Sequence, residues 1–319
     1  MDNDIGDKIR VGVSSCLLGN DVRFNGANAH KKLVSRELGE LFDYHAVCPE
    51  MTAGFGVPRE PIYLESAAGK IRVITTNSKV DVTEALDKGC QKVLTGLPPL
   101  SGFILKKASP SCGQETVKLY SEKKGIIHNK ADGRFVEALR KQDPLMPIED
   151  EGRLNDPYLK EHFIKRVFLT AEAKHAVTEA KDFKVLQAFH TRHKIMLRLH
   201  HPVNQKVLGR LVADNSREDF EAVKAEYLEI FLQSFQKVAE RGNHHTVLQR
   251  ILREINKLIS DEERADLQVK LKRFYDGILP LAVPFEMVQH YLTRYKIDFL
   301  AQQSYLNLYP HSLGLMSKM

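Results

Sequence analysis

"IRVGVSSCLLG", residues 9–19, is a short β-rich run that ends on a cysteine. Two later stretches repeat the arrangement. "DYHAVC" (43–48) closes on Cys48, and "GFILKKASPSCG" (102–113) places Cys112 just past its apolar run. Between the first two, "AHKKLVSRELGELF" (29–42) carries apolar residues at helical spacing. A hairpin pattern follows, "PIYLES" and "KIRVITT" separated by Ala67, Ala68 and Gly69. "DVTEALDKGCQKVLTG" (81–96) reads as a helix opened by a capping box of Asp81 and Glu84, and "ADGRFVEALRKQ" (131–142) as another. Strands alternating with helices imply crossover connections, so the first half is expected to be an α/β domain on a largely parallel, Rossmann-like sheet.

The texture changes at "QDPLMPIEDEGRLNDP" (142–157), whose prolines and acidic residues read as a linker. From Pro157 the pattern is one amphipathic helix after another: 158–180, 184–199, 203–213, 217–241, 245–259, 261–276 and 284–296. A short, less ordered tail is expected after them. The reading is therefore two domains, 1–150 and an all-α 151–319, as suits a chain of 319 residues.

Net charge is +6, and it is unevenly spread. Residues 1–150 hold 21 Lys and Arg against 20 Asp and Glu, whereas the remainder holds 26 against 21. A basic second half suits an anionic partner such as RNA. No run approaches the roughly 18 apolar residues of a membrane span, and "MDNDIGDKIR" is acidic and polar where a signal peptide is basic and then apolar. The expected location is cytoplasmic. Four scattered cysteines do not make a disulfide framework.

In an open parallel sheet, ligands bind beyond the carboxyl ends of the strands, so Cys16, Cys48 and Cys112 are placed to converge despite their separation in sequence. Structural zinc takes four ligands in closely spaced pairs, and no CxxC pair exists here. Electron-carrying iron–sulfur centres also want four cysteines. Three thiolates on a 4Fe–4S cluster would leave one iron open as a Lewis acid. From the residues alone, shared ligation and three unrelated cysteines both remain open. Cys90, inside the helix at 81–96, reads as a small core hydrophobe.

"SSCLLG" (14–19), "VRFNG" (22–26), "CPEM" (48–51), "VPREP" (57–61), "DVT" (81–83) and "LKKASPSCG" (105–113) together resemble the thiouracil desulfidase family, over most of residues 9–140. "HTRHKIMLRLHHPVNQKVLGRLVAD" (190–214) resembles the helical YbgA-type domain fused behind such domains in tRNA 4-thiouridine desulfidases. The resemblance implies a 4Fe–4S cluster on Cys16, Cys48 and Cys112, whose open iron accepts sulfur from a thiocarbonyl while water supplies the new oxygen. The implied partner is tRNA containing 4-thiouridine.

Such chemistry needs a proton-transfer group and a positioned water, for which Glu50, Ser109 and Ser111 are the candidates. Each also has an ordinary reading, as a surface carboxylate or as turn hydroxyls. Arg23 and Asn25 follow the first cysteine loop and Lys106 and Lys107 precede the third, as contacts for phosphate or pyrimidine; an ion pair would equally account for Arg23. Arg59 either shares that role or supports its turn. Residues 184–214 carry Lys184, Arg192, Lys194, Arg198, Lys206 and Arg210 against Asp214 alone. With His190, His193, His200 and His201 they read as a basic helical surface for RNA phosphates, or as a solvated face. Lys194, Arg198 and Arg210 are the chosen RNA contacts. Two other functions stay open: a desulfidase of free thiouracil or thiolated nucleotides whose helical domain serves dimerisation, and a non-enzymatic iron–sulfur sensor that binds nucleic acid.

Overall fold

The computed structural model describes residues 8–214, 216 and 219–309. The chain divides into two compact units, one ending at Asn155 and the other beginning at Asp156.

The first unit opens with β1 (Ile9–Ser14), β2 (Phe42–Val47), the single turn α1 (Pro49–Thr52), the hairpin β3 (Ile62–Ala67) and β4 (Lys70–Thr75), and α2 (Thr83–Thr95). It continues through β5 (Phe103–Leu105), β6 (Val117–Ser121), β7 (Ile126–Ala131), α3 (Arg134–Gln142) and β8 (Ile148–Asp150). Strands β2, β1, β5 and β8 form one sheet in that order, every pair parallel. A second, mixed sheet runs β4-β3-β6-β7, with two antiparallel hairpins joined by a parallel β3–β6 pair. Leu64, Val73, Leu86, Phe103 and Phe135 fill a core shared by both sheets and by α2 and α3.

Several sequence readings change here. The segment 142–157 is not a linker throughout, because Ile148–Asp150 is a fully buried strand paired to β5. The strands β6 and β7 lie in a stretch where no strand was read. In 29–42 the helix shrinks to a π turn (Leu33–Glu37) and a 3-10 turn (Leu38–Glu40). The amides of Ala29 and Lys31 donate to the carbonyls of Cys16 and Leu17 (2.9 and 3.0 Å), which holds the start of the segment out of any helix. The capping box also fails. Asp81 accepts from the amide of Thr83 (2.9 Å) and Glu84 pairs with Lys88 (2.6 Å), so neither closes the helix end reciprocally.

The second unit is helical: α4 (Pro157–Thr178), α5 (Phe183–His200), α6 (Pro202–Ala213), α7 (Phe220–Gln233), α8 (Arg241–Ile255), α9 (Asp261–Tyr275), α10 (Ala282–Tyr295) and α11 (Asp298–Ala301). Local chemistry sets several starts. Asp156 accepts from the amides of Tyr158 and Leu159 ahead of Pro157, and Ser260 with Glu263 forms a true capping box. Helix α7 stops at Gln233, short of the expected 241, where the Ser234 hydroxyl donates to the Ile230 carbonyl (2.7 Å); residues 217 and 218 lie outside the described residues. The expected loose tail is packed as far as it is described: Tyr305, Leu306, Leu308 and Tyr309 are buried, and 310–319 lie outside the described residues.

Candidate active site

All four strands of the parallel sheet end at one edge, and each delivers a polar group there. Ser14 and Cys16 follow β1, Cys48 and Glu50 follow β2, Lys106 and Cys112 follow β5, and Glu151 follows β8. Cys16, Cys48 and Cys112 line one cavity of about 190 Å³. Cys16 and Cys112 are buried, and Cys48 partly so.

Close backbone approach builds two of the three loops. The amides of Arg134 and Phe135, at the start of α3, donate to the carbonyls of Pro110 and Ser111 (3.1 and 2.9 Å), so the helix end is satisfied by the Cys112 loop itself. A Cβ on Gly133 would stand 2.5 Å from the Ser111 carbonyl, which leaves glycine as the residue that fits. Likewise a Cβ on Gly89 in α2 would stand 2.8 Å from the Ala53 nitrogen and the Pro49 oxygen, in the turn that carries Cys48 and Glu50.

The thiols feel one another. Burial pushes Cys16 up to about 11, with Cys48 adding to the rise and Lys106 opposing it. Burial also raises Cys48, against the amides of Met51 and Glu50 that bond its sulfur. Cys112 is raised well above the usual thiol range, first by burial, while the Ser14 hydroxyl bonded to it works the other way. Among the described residues no three His, Cys, Asp or Glu side chains stand close enough to hold a single metal ion. Three soft donors that share a cavity without converging on one point fit a polynuclear centre, where each sulfur takes a different iron. Cys90 is buried among Leu86, Val93 and Leu94 and pushed up to about 12 by burial, as befits a core residue.

Around the thiols runs a chain of polar contacts. Arg59 donates from Nε to Glu50 Oε2 (2.8 Å) and, with its other nitrogens, to the carbonyls of Gly56 (2.8 Å) and Val22 (2.9 Å). Glu50 Oε1 accepts from the Ser111 hydroxyl, which stands 3.0 Å from the Ser109 hydroxyl. Ser109 in turn accepts from the Cys112 amide (3.2 Å). The carboxylate is thus fixed at one oxygen and linked to two hydroxyls at the other.

Arg23, Lys106 and Lys107 line the same cavity, whereas Asn25 is exposed and accepts from the Ala27 amide (3.2 Å) as a turn former. Lys106 Nζ pairs with Glu151, which also accepts from the Lys107 amide (2.7 Å). Glu151 is 4% exposed. The sequence reading missed it, and the acidic run "EDE" at 149–151 was the available signal. Arg59 was read as one of two things; its contacts make it the residue that holds Glu50.

In the helical unit the expected histidine surface is absent. His193 is fully buried and His190 nearly so, with its Nδ1 3.2 Å from the Tyr227 hydroxyl. His200 packs on His162 and Phe235 and holds its Nδ1 3.0 Å from the Lys237 carbonyl. His201 is exposed but spends Nδ1 on the Asn204 amide at the start of α6 (3.1 Å). Arg192 pairs with Glu172 (2.6 Å) and donates to the Gln302 carbonyl, a structural role. The physical reason is helical position: the histidines fall on faces that α7 and the Gln302–Tyr309 segment cover, where Phe189, Tyr227 and Phe231 exclude water. Lys194 and Arg210 remain exposed, and Arg198 is half-buried. No described helix is long and apolar enough to cross a membrane.

Residues 11–151 match the 2-thiouracil desulfurase family, and residues 194–310 match a family described as a protein of unknown function, DUF1722. The uncharacterized protein YbbK of Bacillus subtilis is 33% identical over 157 residues, 45% of this chain and 97% of its own length. The uncharacterized protein YbgA of Escherichia coli is 23% identical over 151 residues, 47% of this chain and 89% of its own. A solved structure of the [4Fe-4S]-dependent thiouracil desulfidase TudS is 26% identical, covering 46% of this chain and 94% of that one at a TM-score of 0.36.

Proposed function

Because the chain belongs to the 2-thiouracil desulfurase family through residues 11–151, we propose that it is a 4Fe–4S-dependent desulfidase that converts 4-thiouridine in tRNA to uridine with release of sulfide. The observation that carries the reading is the meeting of three strand-end thiols with a fixed carboxylate in one cavity. A cluster held by Cys16, Cys48 and Cys112 would supply an iron without a protein ligand, a soft acceptor for thiocarbonyl sulfur.

The remaining work is proton management by the chain. Net C=S to C=O exchange consumes one water and releases one sulfide, so a proton must leave the attacking water and reach the departing sulfur. Glu50 Oε1 is the group for both transfers, since Arg59 occupies Oε2. Ser111 and Ser109, bonded in sequence to Glu50, hold the water. Lys106 and Lys107 set positive charge at the mouth, Lys106 being steadied by Glu151.

The helical unit supports the RNA part of the reading through Lys184, Lys194, Lys206 and Arg210, all exposed on α5 and α6. Each relative named above spans less than half of this chain yet nearly all of its own length, which fits two modules joined here.

The test is anaerobic: cluster-loaded protein with tRNA containing 4-thiouridine, following nucleoside conversion and sulfide beside Cys112→Ala. Conversion by wild type alone is expected, with sulfide equal to uridine formed. Consumption of free 4-thiouracil without tRNA conversion would move the substrate to the base or nucleotide. Sulfide from neither would remove the enzyme and leave the nucleic-acid-binding sensor. Lys194→Ala with Arg210→Ala is expected to lower the salt dependence of tRNA binding by a log–log slope of about 2, one per lost cation.

A further inference from the structure

The cavity wall contains one aromatic side chain among the described residues, Phe24, and its ring is 38% exposed. A lone exposed phenylalanine is ordinary on a protein surface. Phe24 differs in how it is held and in where it stands. The carbonyl of Val22 accepts from the Arg59 guanidinium (2.9 Å) and that of Phe24 itself from the Arg59 amide (2.8 Å). The loop is closed again by Arg23 N to Ala27 O (3.1 Å) and Gly26 N to Arg23 O (3.0 Å). A loop pinned this firmly around an apolar ring that the core does not use has been fixed to present that ring.

The ring shares the cavity with the three thiols and with Glu50, and the Arg23 guanidinium lies 5.6 Å from its centroid. A flat, uncharged heteroaromatic ring entering between strand-end thiols needs a surface that fixes its plane without competing for its polar edge. An aromatic face does that, because every pyrimidine has a π face whatever stands at its 4-position. Arg23 beside it matches the negative charge of a 5′-phosphate. Arg59 links this surface to the proton-transfer group, since one guanidinium bonds both Glu50 and the carbonyl of Val22.

We propose that Phe24 is the stacking platform for the thiolated pyrimidine and so a specificity-determining residue of this site, an inference that rests on the desulfidase reading above. Binding is measured apart from turnover so that the two stand or fall separately. Equilibrium dialysis of 4-thiouridine 5′-monophosphate against cluster-loaded protein is compared for wild type, Phe24→Ala, Phe24→Leu and Phe24→Tyr, with iron content checked in each. Stacking predicts a dissociation constant raised roughly 5- to 100-fold by alanine. Leucine should restore little, because it supplies apolar area but no π face, and tyrosine should bind as wild type does. In turnover the alanine loss should fall on KM.

Weaker binding by Phe24→Ala in a protein that releases no sulfide would uphold the platform and overturn the reaction. Wild-type turnover with the alanine variant binding within twofold of wild type would overturn the platform and uphold the reaction. Leucine matching wild type would reduce Phe24 to a generic apolar wall and overturn stacking. Absence of nucleotide binding by the wild type would overturn the platform as well as the reaction.

Discussion

The α/β unit and the helical unit each present a set of chemically suggestive side chains, cysteines in one and histidines in the other, and they handle them in opposite ways. Cys16, Cys48 and Cys112 lie far apart in sequence yet line one cavity. His190, His193 and His200 lie within eleven positions of one another on α5, yet they turn into the protein interior against Tyr227, Phe231 and Phe235. Parallel strands explain the first outcome: their carboxyl ends share an edge whatever the sequence distance. Helical geometry explains the second, because residues three apart share a face, and neighbouring helices decide whether that face is wet. Closeness in sequence is therefore a poor guide to a site, and position at a strand end a better one.

The sharpest way to break this contrast is to remove the thiols one at a time. Cys16→Ser, Cys48→Ser and Cys112→Ser should each bring sulfide release to background and lower iron content, while Cys90→Ala should keep both. Activity surviving loss of any of the three would mean that they do not act together. Next in size is Glu50→Gln, expected to lower kcat about 10²- to 10⁴-fold with iron content kept. A change confined to KM would make Glu50 a binding group instead. Arg59→Ala should cost up to about 100-fold through misplacement of Glu50, and Arg59→Lys should recover only part, since an ammonium cannot hold three partners in a fixed fork.

The helical side of the contrast is read in stability. His193→Ala should destabilise the protein by about 2–3 kcal/mol, seen in denaturant unfolding, because it empties a fully buried position. Burial lowers His190 to about 4, helped by Lys194 and His193, and lowers His162 and His244 to about 3, Lys165 adding to both. A folded-state value below the unfolded 6.5 means that the unfolded chain binds the proton first. Stability is thus present above pH 6.5 and is lost as pH falls toward 4, at about 1.4 kcal/mol per pH unit for each histidine. Thermal unfolding between pH 7 and 4.5 checks this, and a flat profile would place the histidines at the surface after all.

Much of this was legible beforehand, and the errors are informative. Beta-rich runs at 9–15, 43–48 and 102–107 and helical spacing after 157 are local patterns several residues long, so the strand ends, the cysteines and most helices could be found from them. Ile148–Asp150 could not, since three residues give no period, and its acids looked solvent-bound; pairing with β5 is what buries them. Glu151 was lost with it. The expected helix at 29–42 failed because a contact with the Cys16 loop outweighed its propensity.

By itself, then, the sequence determined an α/β half with three thiols at strand ends, a helical half, and a charge excess placed in the latter, because residue type and short-range periodicity set those features. Tertiary structure alone decided that Arg59 joins Glu50 to the loop of Phe24, that β8 brings Glu151 to Lys106, and that the histidines of α5 are interior. Those depend on which surfaces meet across tens of residues, and burial is a property of the meeting rather than of the residue.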